Sequence, residues 1–235
     1  MAEDQVVKPM QKDAEGKTES GTIRKEPVSC RVVVITVRSK SGFKGLIAPP
    51  PLKGVKTENH YLVGDKKTLE DAFRKVEEGD ILVVNAHANE DYFIYGKSKN
   101  PVYWTGDTEN PGAWELLGIK KPPKLAALVI ASCMKASDEE AVSSARLREI
   151  RSAFNTRILV APKATYQNAH DDHLALDDII EGIREFYHER IDGADLNERI
   201  NRKYDRIRVS FGCNGKNHKD GCNCRFGPNW RRAKE

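Results

Sequence analysis

The chain has 235 residues with 39 lysines and arginines against 35 aspartates and glutamates, a formal net charge of +4. Its hydrophobic fraction of 39% and charged fraction of 31% are ordinary for a globular protein. No apolar run approaches the roughly 20 residues that a membrane-spanning helix needs, and the start, Met-Ala-Glu-Asp-Gln, lacks the apolar stretch of a secretory signal. We therefore expect a cytoplasmic protein without a membrane partner.

The cysteines do not form the pattern of a disulfide framework. Their number is odd, and three of the five fall within the last 25 residues. Reduced thiols are therefore expected, in agreement with a cytoplasmic location. The cysteines are Cys30, Cys133, Cys213, Cys222 and Cys224.

The chain divides into three regions. Residues 1–27 are polar, carry both charge signs and show no periodicity, which predicts a disordered leader. Residues 28–209 alternate apolar runs with amphipathic segments and are predicted to form one domain, followed by a basic, cysteine-rich tail at 210–235. From Arg199 onward there are eleven basic residues and three acidic ones, a net charge of +8. This charge predicts an acidic partner for the tail, with a solvated basic end as the alternative.

Two β-branched runs in the first half of the domain predict buried strands. Residues 28–37 contain Arg-Val-Val-Val-Ile-Thr-Val, and residues 81–85 read Ile-Leu-Val-Val-Asn. Between them, 38–66 is rich in glycine and proline and is predicted to be mostly loop. A short helix is expected to start at a cap on Thr68 and to end at Gly79.

The rest of the domain alternates strands with helices. Residues 92–105 predict a β-hairpin with aromatic-rich arms, and 113–117 predict a short helix. The remaining predicted elements are a strand at 125–131, a helix at 138–154, a strand at 157–161, a helix at 174–190, a helix at about 194–204 and a last strand at 207–211. This alternation predicts an α/β domain with a largely parallel sheet and helices on both faces.

Two of the predicted strands end in chemically able residues. His87 follows the strand at 81–85, and Cys133 follows the strand at 125–131. Parallel strands end at one edge of their sheet, so neighbouring strands about 5 Å apart would bring the two side chains together. An imidazole beside a thiol favours the nucleophilic thiolate and can later protonate a leaving amine. Taken separately, Cys133 also fits a small buried hydrophobe, and His87 also fits a loop cap.

An ordered series of motifs resembles the caspase-like cysteine peptidases, and among them the CHAT domains, over about residues 28–209. The series reads Val-Val-Asn-Ala-His-Ala, then Leu-Val-Ile-Ala-Ser-Cys, Thr-Arg-Ile-Leu-Val-Ala-Pro-Lys and Ile-Arg-Glu-Phe-Tyr-His-Glu-Arg-Ile-Asp-Gly. His87 stands 46 residues before Cys133, and caspases carry their histidine about 50 residues before the cysteine. The resemblance implies a caspase-like three-layer sandwich.

The resemblance also implies a reaction, the cleavage of peptide bonds in protein or peptide substrates. Cys133 would be the nucleophile and His87 the acid and base, with the backbone N–H groups of Ala88 and Cys133 as the oxyanion hole, and catalysis would need no cofactor. Two features depart from the family. Ala88 stands where glycine is usual, and Met-Lys-Ala-Ser follows Cys133 in place of a glycine-containing turn. A catalytically silent, partner-binding module with the same fold is therefore the alternative.

The determinants of specificity are sparse. Relatives that cut after lysine or arginine often have aspartate two residues before the cysteine, a position held here by Ala131. Asp171 and Asp172, in the loop predicted before the helix at 174–190, are candidates to receive a basic substrate side chain. The alternative is a polar helix start, where aspartate suits the helix dipole.

The tail holds four soft ligands within twelve residues, enough for one tetrahedral structural zinc. They are Cys213, His218, Cys222 and Cys224. Their spacing matches no common zinc finger, so a tail with incidental thiols is the alternative. Only Phe226 and Trp230 stand among the arginines of the tail for base stacking, so nucleic acid is not an expected partner. A zinc-bearing nucleic-acid adaptor is kept as a third hypothesis.

Overall fold

The computed structural model describes residues 30–38, 59–96, 100–132, 143–162, 169–188, 190–203 and 207–211. In chain order their elements are β1 (Val32–Val37), β2 (His60–Val63), α1 (Lys66–Phe73), β3 (Ile81–Asn85), β4 (His87–Ala88), β5 (Tyr92–Tyr95), β6 (Asn100–Tyr103), α2 (Ala113–Leu116), β7 (Leu125–Ile130), α3 (Ser144–Ala153), β8 (Thr156–Pro162), α4 (Ala169–Tyr187), α5 (Gly193–Lys203) and β9 (Ile207–Phe211). None of the helices within these ranges combines the length and the apolar character that crossing a membrane requires.

Six strands form the main sheet, in the order β2-β1-β3-β7-β8-β9. The first five are parallel, and β9 runs antiparallel to β8 at the edge. The strands β1 and β7 are buried along their whole length, which explains why their apolar runs are continuous rather than alternating. The predicted α/β fold with a largely parallel sheet is confirmed.

Helices cover both faces of this sheet, as predicted. On one face α1, α2 and α3 supply Phe73, Trp114 and Ile150 to a hydrophobic cluster. On the other face α4 and α5 supply Ile183 and Leu196 to a second cluster. Crossover connections join parallel strands, so all the parallel strands of this sheet have their carboxyl ends at one edge.

The chain reverses its direction across the sheet between β1 and β3. From β1 it moves outward to β2, then returns past β1 to β3 and continues to β7 and β8. In open α/β sheets, ligands bind outside the carboxyl ends of the strands at such a switch point. The carboxyl end of β3 is therefore the part of the fold in which a site is expected.

A second, three-stranded antiparallel sheet begins where β3 ends. Its order is β4-β5-β6, which confirms the hairpin predicted at 92–105 and adds β4 to it. Phe93 and Val102 point into the same cluster as α1, α2 and α3 and are fully buried. The ring of Trp104 contacts that of Phe93, with centroids 4.9 Å apart, and its indole N–H donates to the carbonyl of Asn89 over 2.9 Å. The small sheet is thus fixed to the core beside the end of β3.

Two predictions about α1 were wrong, and one strand was missed. Within the segment at 38–66, predicted to be mostly loop, His60–Val63 form β2, which pairs in parallel with β1, while residues 39–58 lie outside the described part of the chain. The cap of α1 is Asp65, whose carboxylate accepts the Thr68 N–H over 2.8 Å, while Thr68 is the third helical residue. That helix ends at Phe73 rather than at Gly79.

The structure also bears on the limits predicted further along the chain. The strand β9 extends to Phe211, which pairs with Ile158, so the sheet runs two residues past the domain limit predicted at 209. The predicted leader at 1–27 and the tail from 212 onward lie outside the described residues, as do residues 138–142 of the helix predicted at 138–154.

Candidate active site

The strands β3 and β7, which lead to His87 and to Cys133, are hydrogen-bonded neighbours. In the parallel pair of β3 with β7, Val84 lies opposite Ile130. The ladder continues past the end of β7, because the Ala131 N–H donates to the Val84 carbonyl over 2.9 Å. The adjacency required by the sequence argument is therefore present.

Ser132 joins the ends of the two strands through its side chain. Its Oγ accepts the Ala86 N–H over 2.7 Å and donates to the Val84 carbonyl over 3.3 Å. In a regular parallel ladder the Ala86 N–H would bond a backbone carbonyl, so the hydroxyl takes the place of one ladder acceptor. Ser132 is only 4% exposed. This hydroxyl holds Ser132, the residue before Cys133, against Ala86, the residue before His87.

Ser132→Ala is expected to lower the free energy of unfolding by about 1–3 kcal/mol, because it leaves the buried Ala86 N–H without its acceptor. Urea denaturation measures this change, and hydrogen exchange at the Ala86 amide should become faster. Ser152→Ala is the matched control, since Ser152 is exposed on α3, and it should stay within about 0.5 kcal/mol. Equal stability of the two variants would contradict a structural role for the hydroxyl.

His87 starts the small sheet, directly after the chain leaves the main sheet at Ala86. It pairs with Ile94 across β4 and β5 and is half-buried. Burial lowers the pKa of the imidazole below its usual value, because the charged form loses the most hydration. A lowered pKa keeps the ring neutral near pH 7, the state in which it accepts a proton.

Ala88 has the backbone conformation of an extended strand. It is not among the described residues with positive φ, so alanine in place of the family's glycine brings no left-handed strain here. The Asn89 N–H bonds the Tyr92 carbonyl over 2.9 Å, so Asn89 belongs to a hydrogen-bonded pair with β5. Such pairs alternate along an antiparallel ladder. The Ala88 N–H is therefore directed away from β5, toward the edge of the small sheet.

Arg146 ties α3 to the loop that follows β4. Its guanidinium donates to the Glu90 carbonyl over 3.1 Å, to the Thr105 hydroxyl over 2.8 Å and to the Asp91 carboxylate over 3.2 Å. Only 20% of its side chain is exposed. Nothing in the sequence pattern singled out this arginine, because these three partners are more than 40 residues away in the chain.

The prediction that Asp171 and Asp172 lie in a loop was wrong, because both residues are in the first turn of α4. At the other end of this helix, the Tyr187 hydroxyl donates to the carbonyl of Ala126, at the start of β7, over 2.6 Å. From Tyr187 to Asp172 the helix rises by about 22 Å. From Ala126 to Ser132 the chain extends by about 20 Å. The helix start is thus level with the carboxyl edge of the sheet.

Several predicted site residues lie outside the described part of the chain. Cys133 directly follows the last described residue of that segment, and the four proposed zinc ligands all belong to the tail. The zinc and the acidic partner of the tail therefore stay predictions. Among the described residues, no group of three or more His, Cys, Asp or Glu side chains is arranged to hold a metal ion.

Comparison with protein-family models and with curated proteins gives no match for this sequence.

Proposed function

We propose that the protein is a cysteine endopeptidase of the caspase-like type, with Cys133 as nucleophile and His87 as acid and base. One observation carries the proposal: the Ser132 hydroxyl bonds the Ala86 N–H over 2.7 Å across two neighbouring strand ends. Ser132 and Ala86 are the residues directly before Cys133 and His87. Consecutive Cα atoms are about 3.8 Å apart, and the proposal accordingly places Cys133 within reach of His87.

The architecture around this contact supports the proposal. The sheet is mostly parallel, helices form a layer on each face, and β3 ends beside a topological switch point. These features agree with the three-layer sandwich that the motif series implies. The half-buried His87 has a lowered pKa, as suits a base that is neutral near pH 7.

The proposed reaction uses the side chains of this chain and its backbone. His87 takes the thiol proton of Cys133, and the thiolate adds to the carbonyl carbon of the peptide bond. The carbonyl electron pair moves onto oxygen, where the N–H groups of Ala88 and Cys133 stabilise it. His87 then protonates the leaving nitrogen as the C–N bond breaks, which leaves a thioester on Cys133. Water then gives a proton to His87 as its oxygen adds to the thioester carbon. The C–S bond breaks, His87 returns the proton to the departing sulfur, and the acid and the free thiol are released.

Cys133 is expected to be alkylated by iodoacetamide at neutral pH at least about ten times faster than Cys30. Cys30 is buried, and burial raises the pKa of its thiol to about 11, so it provides an unreactive internal standard. Peptide mapping over time gives the rate at each cysteine separately. In His87→Ala the rate at Cys133 should fall, while His188→Ala, at an exposed position, should leave it unchanged.

Two results would contradict the proposal. One is alkylation of Cys30 ahead of Cys133 in the folded protein. The other is an equal rate at Cys133 in the wild type and in His87→Ala, which would show that the imidazole does not activate the thiol. Either result would favour the catalytically silent module, since a fold that only binds partners needs no activated cysteine.

A further inference from the structure

The small sheet has one face in the core and another face that carries His87. Cross-strand partners in an antiparallel sheet share a face, so His87, Ile94 and Pro101 form one row across the three strands. Tyr92 and Tyr103 are also cross-strand partners. Each lies two residues along its strand from Ile94 or Pro101 and therefore belongs to the same face. This outer face is thus apolar and aromatic, although it does not enter the core.

A cavity of about 400 Å³ opens on the outer face. It is lined by the row from His87 to Pro101 and by the pair Tyr92 and Tyr103, together with Ala88 and Asn89. The rings of Tyr92 and Tyr103 meet edge to face, with centroids 5.6 Å apart and planes at 66°. Ligand cavities commonly measure about 300–1,000 Å³, so this one suits a single large side chain with its adjoining backbone.

We propose that this cavity receives an aromatic side chain from the residue that directly follows the cleaved bond, an inference that rests on the proposed peptidase function. His87 has to reach the leaving nitrogen, so the residue that carries this nitrogen lies against the imidazole. The cavity begins at His87 and extends over β5 and β6 to Pro101 and Tyr103. Two tyrosine rings already set edge to face provide both edges and faces for a third ring.

The test compares two peptides that differ only in the residue after the cleaved bond, phenylalanine or alanine. In the wild type, kcat/KM should be at least about ten-fold higher for phenylalanine. Pro101→Trp fills the cavity from the strand farthest from His87 and should reduce this ratio to below about three. Asn100→Trp is the matched control, because Asn100 is exposed on the same strand and points to the other face. Its ratio should equal that of the wild type.

A binding measurement separates failure of the subsite from failure of the peptidase. Phenylalaninamide mimics the released amino-terminal residue and should shift the NMR signal of the Ile94 methyl group in the wild type but not in Pro101→Trp. Cleavage of both peptides at equal rates would overturn the subsite and leave the peptidase intact. If no peptide is cleaved, a shift at Ile94 still supports the aromatic cavity, and its absence overturns it.

Discussion

Cys133→Ala is expected to lower kcat/KM for peptide cleavage by about four orders of magnitude or more, and His87→Ala by about 10²- to 10⁴-fold. The double variant should be little slower than Cys133→Ala alone. Both side chains serve one step, the generation and use of the thiolate, so their losses overlap rather than add. A mixed peptide library is the practical substrate, with the uncatalysed rate as the baseline.

Loss of activity is informative only if the fold survives. The helix content and the melting temperature of His87→Ala should stay close to those of the wild type, because His87 is half-buried at a strand end rather than in a core cluster. His188→Ala provides the control for removing an imidazole from the surface. Full activity in Cys133→Ala would eliminate the cysteine mechanism, and strictly additive losses would assign the two residues to separate steps.

Three strands in the middle of the main sheet were predicted closely. The strand β3 starts and ends where predicted, β7 ends one residue earlier than predicted, and β8 is one residue longer at each end. Their side chains enter a cluster on either side of the sheet, so the sequence shows uninterrupted apolar runs. Tertiary structure and sequence pattern agree here because most buried positions of these strands hold apolar residues.

The strand β2 escaped prediction because it is an edge strand with an uneven pattern. Its sequence is His-Tyr-Leu-Val, only Val63 is buried, and Leu62 is 49% exposed. Neither continuous hydrophobicity nor alternation identifies four such residues in a glycine- and proline-rich segment. Its strand conformation comes from pairing with β1, which no local signal encodes.

The predicted start of the helix α4 was wrong because the helix begins with a polar turn. Its apolar spacing becomes visible only at Leu176, and this gave the predicted start at 174. The helix begins at Ala169, and its first turn includes Asp171 and Asp172. Acidic residues suit the positive end of the helix dipole, so a helix can start with polar residues that show no apolar spacing.

The position of His87 was predictable from the sequence, whereas the contacts that join the ends of β3 and β7 were not. His87 could be placed from the end of an apolar run, since parallel strands share an edge. The role of Ser132 depends on the register of β3 with β7, which places its hydroxyl beside Ala86. The role of Arg146 depends on how α3 lies over the small sheet. Both are long-range contacts, and no short segment of the sequence contains both partners.

Ala88→Pro is expected to lower kcat by about 10²- to 10³-fold, the usual effect of removing one oxyanion-hole donor. The Ala88 N–H is directed away from β5, so proline should remove this donor without breaking the pairing of β4 with β5. Proline is tolerated on edge strands where the N–H faces outward, and the extended His87 suits the position before a proline. Single-turnover kinetics on a cleavable peptide measures the effect on the chemical step.

Ala88→Gly and Asn89→Pro give this experiment its two references. Glycine keeps the N–H, so Ala88→Gly should retain kcat within a few-fold of the wild type. Asn89→Pro removes a donor that bonds the Tyr92 carbonyl, so it should destabilise the small sheet as well as slow the reaction. A folded Ala88→Pro variant with full activity would show that the backbone N–H of Ala88 is not an oxyanion donor. The negative charge of the intermediate would then have to be stabilised by other groups at the carboxyl edge of the sheet.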